Sequence, residues 1–160
     1  MGERIALTDA SDQTHAALRA RYAARRDAGY AGADYRVYGY MRVADAVRYY
    51  GAIHVPWDAA QLAADLQATG LSAELEVRRM KTVYQRALVL ALIAAAQPAT
   101  LVIERADQFD AQPAADLLER VVRRAPWALV TYAGGTTPPA GLFDVVSPAA
   151  SWSIEGFEPT

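Results

Sequence analysis

Charged residues crowd one short stretch of this chain, Glu104-Arg105-Ala106-Asp107-Gln108-Phe109-Asp110, directly after the apolar run Leu101-Val102-Ile103. Placed at the carboxyl end of a strand, they are either remnants of catalytic carboxylates or, more plainly, polar groups where a loop meets water. The second is the expectation here. Other chemistry is thin. The two histidines, His15 and His54, lie far apart, and nothing local indicates a zinc site or a Ser-His-Asp triad. His54 follows a helical stripe and is expected to find a local partner. The chain has no cysteine, which excludes disulfides, thiolate–metal sites and a Cys nucleophile. Lys81 is the only lysine and follows Arg78-Arg79-Met80, whereas a phosphate-binding loop sets its Lys after a glycine-rich run. Gly134-Gly135-Thr136-Thr137-Pro138-Pro139 fits a turn. The Arg19, Arg21, Arg25, Arg26 cluster could meet phosphates, but a solvated helix face is the simpler expectation.

Composition bounds the elements that position these residues. With 160 residues, 53% of them apolar, and a net charge of −2, the chain suits one folded domain and neither disorder nor general nucleic-acid binding. No apolar run reaches the roughly 20 residues of a membrane span. The N-terminus has no apolar signal core, so a cytoplasmic location is expected.

Strands are expected at Arg4–Leu7, Thr100–Ile103, Trp127–Tyr132 and Leu142–Val146, with a loop or short strand over Ala28–Gly39. Helices are expected over about Gln13–Arg26, Val43–Ile53, Ala59–Thr69 (Asp58 as N-cap, Gly70 as stop), Arg78–Ala96 and Pro113–Arg124. On the second helix Val43, Val47 and Tyr50 share a face, with Ala46 and Ile53 beside them. Helices alternating with apolar strands in the second half mean α/β units on a parallel sheet.

Tyr84–Asp110, YQRALVLALIAAAQPATLVIERADQFD, resembles the ATP-binding cassette (ABC) ATPases. Gln85-Arg86 with Ala87–Ala96 is similar to that family's signature helix, Leu101–Glu104 to its Walker B strand, and Asp110 falls at the D-loop aspartate. Trp127–Tyr132 looks like the strand ending in the switch histidine. Ala28–Val43 looks like the segment around the Q-loop, and Arg48–Ile53 with Ala68–Leu71 like the helical-subdomain pattern. The LVIERADQFD stretch also resembles an AAA+-type Walker B, though the preceding helix suits it less.

The departures shape the functional expectation. Only 28 residues precede Gly29, too few for the family's P-loop at its usual distance. Arg79–Val83 stands in place of LSGGQ, Ala33 in place of the Q-loop glutamine and Tyr132 in place of the switch histidine. At Walker B, either Ile103 replaces the Mg-directing Asp and Glu104 keeps the general-base position, or Glu104 replaces that Asp and Arg105 the Glu. Either way one required carboxylate is lost, and phosphoryl transfer rests on such parts.

The resemblance thus implies an α/β fold: a truncated P-loop-NTPase-like (ABC-type) core sheet with a helical subdomain, as one degenerate domain over 1–160. The helical subdomain would span about 43–80, and core helices and strands about 81–146. No catalytic role is expected, Glu104, Asp110, Tyr132 and Ala33 being degenerate remnants, and neither cofactor nor metal. The expected function is a non-enzymatic scaffold or regulatory subunit, cytoplasmic or peripheral to the inner membrane face, docking on a membrane permease or an intact ATPase. Six of the nine tyrosines lie between Tyr30 and Tyr50. Tyr35, Tyr38, Tyr40, Arg42 and Tyr49 are therefore the expected partner surface. The alternatives are a subunit giving Glu104 or Asp110 in trans to a composite ATP site, and a nucleic-acid accessory protein using the Arg-rich N-terminal helix.

Overall fold

Short apolar runs bounded by turn signals become the strands of a parallel sheet, and the computed structural model describes residues 2–153 of the chain. The strands are β1 (Arg4–Thr8), β2 (Ala28–Ala31), β3 (Thr100–Ile103), β4 (Trp127–Thr131) and β5 (Val145–Pro148), in the spatial order β2-β3-β4-β1-β5. Ile5 lies opposite Leu129 and Val145, and Val102 opposite Tyr30 and Leu129. The five strands form the α/β sheet expected.

The chain divides into two units, Asp34–Gln97 with Phe109–Val121 forming one, and the remaining described residues the other. In the sheet-bearing unit, Ile5, Leu7, Leu18, Tyr22, Tyr30, Val102 and Leu129 form a buried cluster. Helix α1 (Asp12–Tyr22) opens with a reciprocal cap: Thr14 N–H donates to Ser11 Oγ, and Ser11 N–H to Thr14 Oγ1. It stops at Tyr22, short of the expected Arg26. Tyr22 is fully buried, Arg25 N–H donates to the Tyr22 carbonyl, and the Arg25 guanidinium turns to Asp27 at 2.7 Å.

The helical unit carries α2 (Val43–Ile53), α3 (Ala59–Thr69) and α4 (Thr82–Ala95); α5 (Ala114–Arg124) begins in it. Asp58 caps α3 through the Gln61 amide at 2.9 Å, and Gly70 ends it at φ 75°, where a side chain would be strained. Helix α4 starts at Thr82 rather than Arg78. Val77–Arg79 makes a single 3-10 turn, and Met80 and Lys81 are extended, with Met80 buried and its carbonyl holding Gln85 Nε2. On α2 the stripe is narrower than expected: Val43 and Ala46 are buried, but Ile53 is exposed.

The last strand also corrects the sequence reading. Leu142 is buried within a turn and β5 begins only at Val145, so the apolar Leu142-Phe143 pair fills space instead of starting a strand. Among the described residues no helix is long and apolar enough to cross a membrane.

Candidate functional site

In a parallel sheet, ligands meet the carboxyl ends of the strands where neighbouring strands send their connections opposite ways. Here that point lies between β1, which leads toward β2, and β4, which leads to β5. The residues around it come from the ends of β1, β3 and β4 and from α1, all within the sheet-bearing unit.

Their polar groups are turned on one another. The β1–α1 connection is only Asp9-Ala10-Ser11, with Asp9 in the left-handed region at φ 53°. Ala10 N–H donates to the Tyr132 carbonyl at 3.1 Å, tying this turn to the end of β4. Thr131 Oγ1 accepts the Arg105 N–H at 2.9 Å and shares a hydrogen bond with His15 Nε2 at 2.9 Å. Burial lowers the His15 pKa, with Glu104 opposing, so the ring is held neutral. Asp107 chelates the Arg105 guanidinium and accepts the Ala133 N–H at 3.0 Å. Arg105 itself sits at φ 51°, a conformation a non-glycine residue holds only when its surroundings fix it.

Glu104 is the centre of the arrangement, and here the expectation of a solvated carboxylate fails. Its exposure is 0%. Arg19, about two turns into α1, grips both oxygens: Nε donates to Oε1 and Nη2 to Oε2, each at 2.7 Å. Tyr30 O–H donates to Oε1, and Ala33 N–H to Oε2 at 2.8 Å. The Glu104 N–H in turn donates to the Ala31 carbonyl. Burial pushes the Glu104 carboxyl up, but the hydrogen bonds from Arg19, Ala33 and Tyr30 outweigh it and hold it below its ordinary value. The same contacts raise Arg19, chiefly through Glu104, while burial and then Glu104 raise Tyr30. The side chain missed by sequence reasoning is Arg19. It was legible only as one of four clustered arginines expected on a solvated helix face, and Arg19 instead grips Glu104.

The other expected site residues are scattered. Tyr132 is buried, with its ring edge-on to Phe143; Ala33 joins the clasp through its amide; Asp110 is exposed. His54 Nδ1 meets the Tyr50 carbonyl at 2.9 Å, the local partner expected. In the helical unit, Tyr38 and Tyr40 stack with centroids 5.7 Å apart, and both are exposed, as are Tyr35 and Tyr49. Arg42 meets Glu74 at 3.0 Å. The same unit holds an apolar groove of about 580 Å³ lined by Val43, Val47, Leu62, Leu66 and Leu71. Among the described residues no cluster of acidic and imidazole side chains could hold a metal ion.

Comparison with known proteins decides the fold. No family model matches the chain, and no curated protein matches it. Among solved structures it is similar to the ATP-binding subunit of an ABC transporter, with TM-score 0.64 and 14% identity over 82% of this chain and 68% of that one. It is also similar to an ABC transporter ATP-binding protein from Pyrococcus furiosus, with TM-score 0.68 and 9% identity over 94% of this chain and 86% of that one. The fold is that of an ABC-type ATP-binding subunit. A cobalt transport ATP-binding protein aligns at TM-score 0.57 and 19% identity, over 81% of this chain but 58% of its own. The ABC-type fold thus carries, at the end of β3, a carboxylate enclosed by protein donors.

Proposed function

We propose that this chain is a non-catalytic ABC ATPase-like scaffold or regulatory subunit that docks on a partner protein, a membrane permease or an intact ATPase. The observation that carries this reading is the enclosure of Glu104. A carboxylate at the end of the Walker B-like strand must offer an oxygen to Mg²⁺ or to the attacking water. This one is wholly buried and gives its oxygens to Arg19, Tyr30 and the Ala33 amide. The β1–α1 turn adds support: it has no glycine-rich run or lysine, its Ala10 amide is spent on Tyr132, and Asp12 places a negative charge in the first turn of α1. Calorimetric titration with Mg-ATP tests this; no binding is expected, and micromolar affinity would overturn it.

A second reading draws on the exposure of Asp110, which leaves that side chain able to reach a composite ATP site on another chain. Partner-dependent ATPase activity lost in Asp110→Asn would favour it. The nucleic-acid reading is weaker, because Arg19 is committed to Glu104 and Arg25 to Asp27.

A further inference from the structure

The exposed tyrosines of the helical unit stand beside an uneven distribution of charge. Tyr38–Met41 is a tight turn, with the Met41 N–H donating to the Tyr38 carbonyl at 3.0 Å. It lies on the Val77–Arg79 turn. Arg78 N–H donates to the Gly39 carbonyl at 3.2 Å, Val77 N–H to the Met41 carbonyl at 3.0 Å, and a side chain at Gly39 would touch Arg78 Cβ at 3.4 Å. The turn that bears the stacked Tyr38 and Tyr40 rings, 61% and 75% exposed, is therefore joined through its backbone to a basic segment running through Arg78, Arg79 and Lys81. Tyr38 also lies within electrostatic reach of Tyr50, from which an aromatic row continues through His54 to Trp57 at 5.9 and 6.0 Å.

The segments 34–48 and 74–81, which meet here, carry six cations: Arg36, Arg42, Arg48, Arg78, Arg79 and Lys81. Asp34, Asp45, Glu74 and Glu76 oppose them, leaving a surplus of two positive charges on a chain whose net charge is −2. Arg78 and Arg79 share a single carboxylate, Glu76, at 2.9 and 3.5 Å, and both stay mostly exposed. Aromatic and arginine side chains together are the composition of interface anchors, and surplus charge of one sign selects the opposite sign in a partner.

We propose that this face docks an acidic segment of a partner protein, one that sets aliphatic side chains against Tyr38 and Tyr40 and carboxylates against Arg78, Arg79 and Lys81. The inference rests on the docking function proposed above and adds the chemistry of the partner. Its test uses the full chain and two labelled amphipathic peptides of about 20 residues with the same leucine face, about six helical turns. One carries Glu at its polar positions, the other Lys. A single-stranded oligothymidylate is the third probe.

By fluorescence anisotropy the Glu peptide binds about tenfold or more tightly than the Lys peptide, and the gap closes as salt rises toward about 1 M. Arg78→Glu with Arg79→Glu removes the preference, and Tyr38→Ser with Tyr40→Ser weakens both peptides. Arg79→Glu with Lys81→Glu gives the same loss should the first pair fail to fold. Equal affinity for the two peptides overturns the acidic partner but leaves the docking surface, provided the tyrosine variant weakens both. Binding of neither peptide, or binding untouched by any variant, overturns the surface itself. Oligothymidylate binding more tightly than the Glu peptide overturns the proposal in favour of nucleic acid. Mg-ATP affinity would count against the non-catalytic function alone.

Discussion

Arg19 and Glu104, 85 residues apart, meet in a two-pronged ion pair with both N–O distances at 2.7 Å. The pair joins α1 to the end of β3, and through the Ala33 N–H it also fixes the chain just beyond β2. The carboxylate is fully buried while the Arg19 side chain is 40% exposed. The two partners therefore differ in what their loss leaves behind.

Arg19→Ala is expected to destabilise more than Glu104→Gln. Removing the guanidinium strands a buried carboxylate, a loss of about 3–5 kcal/mol in a dry site. Water entering through the vacated, partly exposed position lowers this to about 2–4 kcal/mol. Glu104→Gln keeps one acceptor oxygen and leaves an arginine that water can reach, so about 1.5–3 kcal/mol is expected. Urea midpoints for both variants check the order. Equal, near-zero effects would mean that the clasp does not form in solution.

Much of the architecture was legible because its signals are local. Asp58 and Gly70 bracket α3, Pro56 closes off α2, and Gln97-Pro98 separates α4 from β3; each boundary follows from the geometry of those few residues. The apolar runs of β3 and β4 could hardly be anything but buried strands. The clasp was not legible. Glu104 in the sequence is an acid followed by other charged residues, the usual mark of a solvated loop. Only the sheet order, which brings β2 beside β3, and the return of α1 show that three donors converge on it. Leu142 misled for the opposite reason, since an apolar residue in a turn carries the same signal as one in a strand.

Leu88 and Leu92 on α4, with exposures of 0% and 3%, should each cost about 2–5 kcal/mol on truncation to Ala. The spread depends on how far the surroundings close over the lost methyl groups. Chemical denaturation reads this directly, and a loss below about 1 kcal/mol at both positions would contradict their burial.

Tyr38 and Tyr40 should behave otherwise. Both rings are exposed and stacked on each other, so replacing both by Ser removes one stacked pair, about 0.5–1.5 kcal/mol. The variant should keep its far-ultraviolet circular dichroism and unfold within about 1.5 kcal/mol of the parent. A larger loss would make the pair structural and weaken its role as a docking surface.

Stability should fall with acid in two stages, set by His15 and then by Glu104. Both groups have folded-state pKa values below their ordinary ones, His15 through burial and Glu104 through its donors outweighing burial. In each case the unfolded chain binds the proton more readily. The stabilisation is therefore complete above the unfolded value and is lost as pH falls through the folded one. For His15 the decline begins near the ordinary histidine value of about 6.5, and for Glu104 near the ordinary glutamate value of about 4.3. His15→Gln should remove the first stage. It keeps a polar side chain near Thr131 Oγ1, which His15 Nε2 meets at 2.9 Å, but adds no titrating group. Glu104→Gln should remove the second, so its stability difference from the parent shrinks as the solution is taken from neutral pH to below about pH 4. Unfolding free energies measured across that range, with the variants in parallel, decide both. A Glu104→Gln difference that stays constant with pH would mean that the carboxyl has the same pKa folded and unfolded, and one that grows toward acid would mean that it is neutral in the folded protein; in either case the charged clasp would have to be abandoned.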